Sequence, residues 1–161
     1  EAEKPSVERP FTYYLKHIAM IILSLILLMF AIPVLVYKWY KYKIRSSYTN
    51  KQKAYYTYRA STFLLNQLKV DRLNKTPYQF AQQIVDARYG TQFSSFMNVY
   101  LKTKYSDKEL NEQEIKFVTL FFKVFEQKIK SHFKAGKRIA RFLKLNTFLQ
   151  YYYLPEPENI V

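Results

Sequence analysis

The chain has 161 residues, 26 bases against 12 acids for a net charge of +14, two glycines and no cysteine. The absence of cysteine excludes disulfides, thiolate metal sites and cysteine nucleophiles, and fits a reducing compartment. Two glycines leave no room for a Gly-rich phosphate loop.

Residues 1–16 read as an extended linker punctuated by Pro5 and Pro10, and the start at Glu1 rather than Met suggests a fragment of a longer protein or a processed one. Residues 18–37 are twenty consecutive uncharged positions. At about 1.5 Å per helical residue they cover roughly the 30 Å hydrocarbon layer of a bilayer. A secretory signal has a shorter apolar region followed by small cleavage-site residues. Here the flank is instead Tyr37-Lys38-Trp39-Tyr40-Lys41-Tyr42-Lys43, followed by Arg45. The expected organisation is therefore a linker over 1–16, a single-pass transmembrane helix over 17–38 and a basic juxtamembrane segment over 39–50. Tyr37, Lys38, Trp39, Tyr40, Lys41, Lys43 and Arg45 are its membrane-interface residues, Tyr13, Tyr14 and His17 mark the opposite interface, and Pro33 predicts a modest kink.

Charge sets the expected orientation in the cell membrane. Three bases and three acids precede the span, so the whole net charge of +14 lies beyond it. The positive-inside tendency then puts the N-terminus outside and the C-terminal domain in the cytoplasm.

Residues 51–153 are long enough for one small cytoplasmic domain, and their periodicity is helical. Ala54, Tyr58, Ser61, Leu65 and Leu68 form one stripe. Thr76 caps and Pro77 opens a second helix, which carries Phe80, Ala81, Ile84 and Val85 and ends at Gly90. Phe93, Phe96, Met97, Tyr100 and Leu101 fall at i, i+3, i+4, i+7 and i+8. Asn111 and Glu114 form a capping box for a long helix lined by Val118, Phe121, Phe122, Phe125 and Ile129. The fold class is all-α, a single N-terminal transmembrane helix followed by a compact helical bundle with a basic C-terminal helix. Residues 154–161, rich in Pro and Glu, read as an extended tail.

Thr76-Pro77-Tyr78-Gln79-Phe80-Ala81, and Tyr100 to Tyr105 followed by Leu110 and Glu112-Gln113-Glu114, resemble two motifs of a domain of unknown function. That domain is found at the cytoplasmic C-terminus of bacterial transglutaminase-like membrane proteins. The order of linker, span, basic segment and helical domain is also similar. The resemblance covers residues 10–133, with Gln79 and Ser106 as departures at positions where the family often has Glu and Gly. It implies a papain-like catalytic domain upstream and outside the cytoplasm, with no catalytic residue in this chain. It also implies, as partners, a MoxR-type AAA ATPase or a von Willebrand factor A-like protein.

No catalytic, cofactor-binding or metal-binding constellation is legible. His17 and His132 are distant in sequence, and the acids around residues 107–114 suit a helix N-terminus. The chain is expected to be non-catalytic, with a role in anchoring and interaction. The most suggestive surface is C-terminal, where no acid occurs between Gln127 and Pro155. Lys134, Lys137, Arg138 and Arg141 repeat at i, i+3, i+4 and i+7, Lys144 follows, and Ala135, Ile139, Phe142, Leu143 and Leu149 lie on other faces. This is a basic amphipathic helix, continuous with the preceding one or bent at Gly136. Contact with anionic lipid is its first reading and docking to an acidic cytoplasmic protein its second. Nucleic-acid binding, through bases interleaved with Phe148, Tyr151, Tyr152 and Tyr153, ranks last. A self-contained membrane adaptor with no attached enzyme is the alternative to the transglutaminase-like assignment.

Overall fold

The computed structural model describes residues 11–106 and 109–153, and these fold as helices with no strand among them. The linker over 1–10, Asp107 and the tail over 154–161 lie outside the described residues. Helix α1, Phe11–Ser46, has 36 residues and is about 54 Å long. It is the one helix among the described residues that is long and apolar enough to cross a membrane. It begins within the expected linker, runs without interruption through Pro33 and ends at Ser46, inside the expected juxtamembrane segment 39–50.

Helix α2, Asn50–Gln67, folds back antiparallel to α1 after a short turn, with the Thr49 side chain accepting from Gln52 N at 3.2 Å. It closes on Lys69, a left-handed residue at φ 56°. Helix α3 joins Pro77–Phe80, a π-helical stretch Ala81–Asp86 and Ala87–Tyr89. Its capping box uses Thr76 and Gln79, so the amide at Gln79 performs the reciprocal bond for which Glu is the other common choice. Gly90 ends α3 at φ 61°, where a side chain would be strained.

Helix α4, Phe93–Tyr105, has no side-chain cap of its own. The Asp86 carboxylate supplies one from α3, accepting from Phe93 N at 2.6 Å and from Ser94 N at 2.8 Å. Helix α5, Glu112–Ser131, starts with the expected Asn111–Glu114 capping box, and Lys102 pairs with Glu114 at 2.8 Å. The Lys102 hydrogen bond and the Asn111 backbone hold the Glu114 carboxyl below its ordinary value.

The apolar stripes expected on these helices all turn inward. Phe96 stacks on Phe121 at 4.5 Å between centroids, Phe93 meets Phe125 at 5.1 Å, and Tyr58 stacks on Tyr100 at 4.4 Å. Such ring pairs add about 0.5–1.5 kcal/mol each beyond their burial.

The C-terminal segment differs from expectation. The chain breaks at His132–Lys134 rather than at Gly136, forms a short helix α6, Ala135–Phe142, and turns again into α7, Leu145–Tyr153. The break follows from packing. Phe133 and Phe142 both turn toward the bundle, which one straight helix extending from α5 could not achieve.

Candidate functional site

The site begins with the register of α1. Pro33, Tyr37, Tyr40 and Ile44 recur at helical spacing on one face and are buried against the domain. Tyr37 meets Phe142 at 5.1 Å, Phe63 at 6.2 Å and Phe122 at 6.3 Å. The expected interfacial belt is thus corrected at two positions, Tyr37 and Tyr40, which are core residues. An aromatic and basic run at the end of a span reads the same whether its partner is lipid headgroup or protein, and here the domain covers one face of it. Lys41 is also engaged, pairing with Glu126 at 2.9 Å. Lys43 is half-buried, with its ammonium over the Trp39 and Tyr56 rings at 5.7 and 6.0 Å. Lys38, Trp39 and Arg45 remain exposed.

Glu126 ties α5 to α1. Lys41 on α1 and Lys130 on α5 both donate to it, and the buried Tyr37 hydroxyl stands beside it. Burial pushes the Glu126 carboxyl up, but the bonds from Lys130 and Lys41 outweigh that penalty and hold it below its ordinary value.

The same geometry fixes where the basic C-terminal helix sits. Lys130 Nζ lies 5.3 Å from the Tyr37 ring and Phe142 packs on that ring, so the end of α5, from which the chain turns into α6, and the end of α6 both lie near the level at which the apolar run of α1 stops. Phe63 marks the same level on α2. Leu68 is five residues further along the antiparallel helix, about 7.5 Å nearer the span, and its carbonyl accepts from Arg141 at 2.9 Å.

Two polar residues missed by sequence reasoning hold the corner between α6 and α7. The buried Gln67 amide bridges Phe142 O at 3.1 Å and Phe148 N at 3.2 Å, and Asn66 Nδ2 donates to Thr147 O at 2.7 Å. Their only sequence signal was a polar pair at the end of an otherwise apolar stripe.

The five basic residues expected to bind lipid or a partner divide into two sets. Lys134, Lys137 and Lys144 are exposed. Arg138 is half-buried with Nη1 3.5 Å from Lys130 O, and Arg141 lies over the Phe133 ring at 5.4 Å while it holds Leu68. No residue of α6 is buried, and Ile139 is 58% exposed between the lysines.

The C-terminal aromatics form a clasp instead of a free stacking surface. Tyr151 lies 5.3 Å from Phe63 and under the Arg59 guanidinium at 4.9 Å, Tyr151 and Thr62 oxygens are 3.0 Å apart, and the Tyr152 and Tyr40 hydroxyls meet at 3.0 Å. His132 caps α5 against the Tyr89 ring at 5.2 Å. Among the described residues no three His, Asp or Glu side chains gather as a metal site would require. A cavity of about 300 Å³ opens between α2, α3, α4 and α7, lined among others by Leu65, Phe80, Met97, Asp71 and Arg72. Comparison of the chain with protein-family models, with curated proteins and with solved structures finds no match.

Proposed function

We propose that this chain is a non-catalytic, single-pass membrane anchor whose cytoplasmic helical domain is clamped to its own span and rests on the anionic inner leaflet through α6. The observation that carries this reading is the placement of Lys134, Lys137 and the exposed Ile139 at the level where the apolar part of α1 ends. Each lysine near such a surface contributes about 1 kcal/mol, and Ile139 adds apolar contact at the acyl boundary. Tethering makes a contact of this size sufficient, because the span already supplies a high effective concentration of lipid.

The clamp also shifts the span. Residues 31–36 are largely half-buried against the domain, whereas residues 11 and 13–30 are exposed. The hydrocarbon layer is therefore placed a few residues earlier than 18–37, with the long Lys16 side chain reaching back to the outer interface.

The transglutaminase-like resemblance belongs to this proposal as its account of the whole protein: an anchor carrying a catalytic domain on the other side of the membrane. Its motif residues here are structural, Thr76 and Gln79 as caps and Phe80 and Tyr100 as core. They offer no chemistry of their own.

Absence of native cysteine makes the test direct. Ile139→Cys, labelled with an environment-sensitive fluorophore in nanodiscs, is expected to be quenched by lipid-borne quenchers when the lipid is anionic. Combining it with Lys134→Glu and Lys137→Glu is expected to relieve most of the quenching. Equal quenching in neutral and anionic lipid refutes the dependence on anionic lipid, and none in either refutes the contact altogether.

A further inference from the structure

Helix α5 carries a second apolar stripe, anchored to the core at the half-buried Phe117 and otherwise left outside its packing. Phe117, Leu120 and Val124 fall at i, i+3 and i+7, and Leu120 and Val124 are 54% and 52% exposed. Together with the α3–α4 turn they form a groove of about 490 Å³. Lysines stand on both rims. Lys116 and, seven residues on, exposed Lys123 flank one side, while Lys128 flanks the other and donates to Gly90 O at 2.5 Å. None of the residues lining the groove is acidic. Of the carboxylates on α5, Glu114 and Glu126 are held by lysines elsewhere, and Glu112 stands a turn before Lys116.

Three occupants would bury this stripe, and the geometry separates them. Leaflet lipid does not reach it. Lys130 marks the membrane-facing end of α5, and Val124 and Leu120 lie six and ten residues back, about 9 and 15 Å further from the membrane. A second copy docked through the same stripe sets lysine rim against lysine rim, and like charges held together in this way are unfavourable. An acidic amphipathic helix meets neither objection, because its apolar face fits the i, i+3, i+7 spacing and its carboxylates meet lysines on both sides.

We propose that this lateral groove docks an acidic amphipathic helix of a partner protein, at a site separate from the lipid-facing α6. The docking face and the face carried by α6 share no residue, so the domain can hold both at once.

The probe is a designed helical peptide about 18 residues long, with leucines at i, i+3 and i+7 flanked by glutamates, and a control with lysine for every glutamate. Anisotropy is measured with the full chain in zwitterionic nanodiscs. The acidic peptide is expected to bind and the basic one not. Leu120→Gln, and separately Lys116→Glu with Lys123→Glu, each weaken binding about tenfold or more, while Lys134→Glu with Lys137→Glu leaves it unchanged. Leu120 is exposed, so its replacement leaves the fold intact. No binding of the acidic peptide, binding indifferent to Leu120→Gln, or loss on altering α6 instead overturns the proposal. So does a concentration-dependent dimer that Leu120→Gln abolishes, which would make the occupant a second copy.

Discussion

At the scale of single residues, Glu126 carries the clearest electrostatic consequence. Its carboxylate holds α5 to α1, accepting from Lys41 and Lys130. Glu126→Gln keeps the shape but removes the charge, leaving two ammonium groups in a half-buried site. A charge-assisted bond of this kind contributes about 1.5–3 kcal/mol, so a loss of about 2 kcal/mol is expected in denaturant melts of the detergent-solubilised chain. The pH dependence has a definite sign. Because the folded-state carboxyl is depressed, its stabilisation is complete above the unfolded value of about 4.3 and is lost as pH falls through the lower folded value. The gap between wild type and Glu126→Gln should therefore be constant at neutral pH and close in acid. A gap that widens in acid would mean that the Lys41–Glu126–Lys130 cluster is not what holds the two helices together.

Among elements, α6 and α7 depend on residues far from them in sequence. Gln67 is fully buried and its amide meets the two backbone groups at their corner. Gln67→Leu preserves volume and strands Phe142 O, at about 1–3 kcal/mol for a group left unsatisfied, while Phe148 N keeps its bond to Lys144 O at 3.2 Å. Because α6 has no buried residue of its own, the expected result is local. Amide exchange should quicken across α6 and α7 while α2, α4 and α5 keep their protection; uniform quickening would show that the corner is not an independent unit. This element also marks where sequence legibility stopped. Thr76, Gly90 and the Asn111–Glu114 box were readable because a cap acts within one turn, and the α4 and α5 stripes because burial follows the helical period. Asp86 was not, since it looks like a helix-interior acid until Gly90 turns the chain and brings the start of α4 onto it. Likewise Tyr37 and Tyr40 carry the composition of a membrane interface, and only Phe63, Phe122 and Phe142, brought in by the fold, show them to be core. Of the basic cluster, the residues could be named in advance, but not the division into exposed Lys134, Lys137 and Lys144 and committed Arg138 and Arg141.

For the whole molecule, α1 joins span and domain without a hinge. It stays helical from Phe11 to Ser46, and its last turns are part of the domain core, so the domain cannot swing relative to the apolar run of α1 without breaking Tyr37 and Tyr40 out of their aromatic packing. A rigid join makes orientation decisive, because the surface that α6 meets depends on which leaflet lies at the domain end of the span. All of the net charge of +14 lies beyond the apolar run, which favours placing that end on the cytoplasmic side, where the proposed lipid contact of α6 requires the anionic leaflet to lie. Single cysteines test this without background. Tyr48, fully exposed in the α1–α2 turn, and Ser6, ahead of the span, are replaced one at a time and challenged with a membrane-impermeant maleimide. Ser6→Cys is expected to react in intact cells and Tyr48→Cys only after permeabilisation. The opposite pattern would put the domain outside, remove the anionic leaflet from beneath α6 and leave the lysine-rimmed groove on α5 as the surface by which the domain makes its contacts.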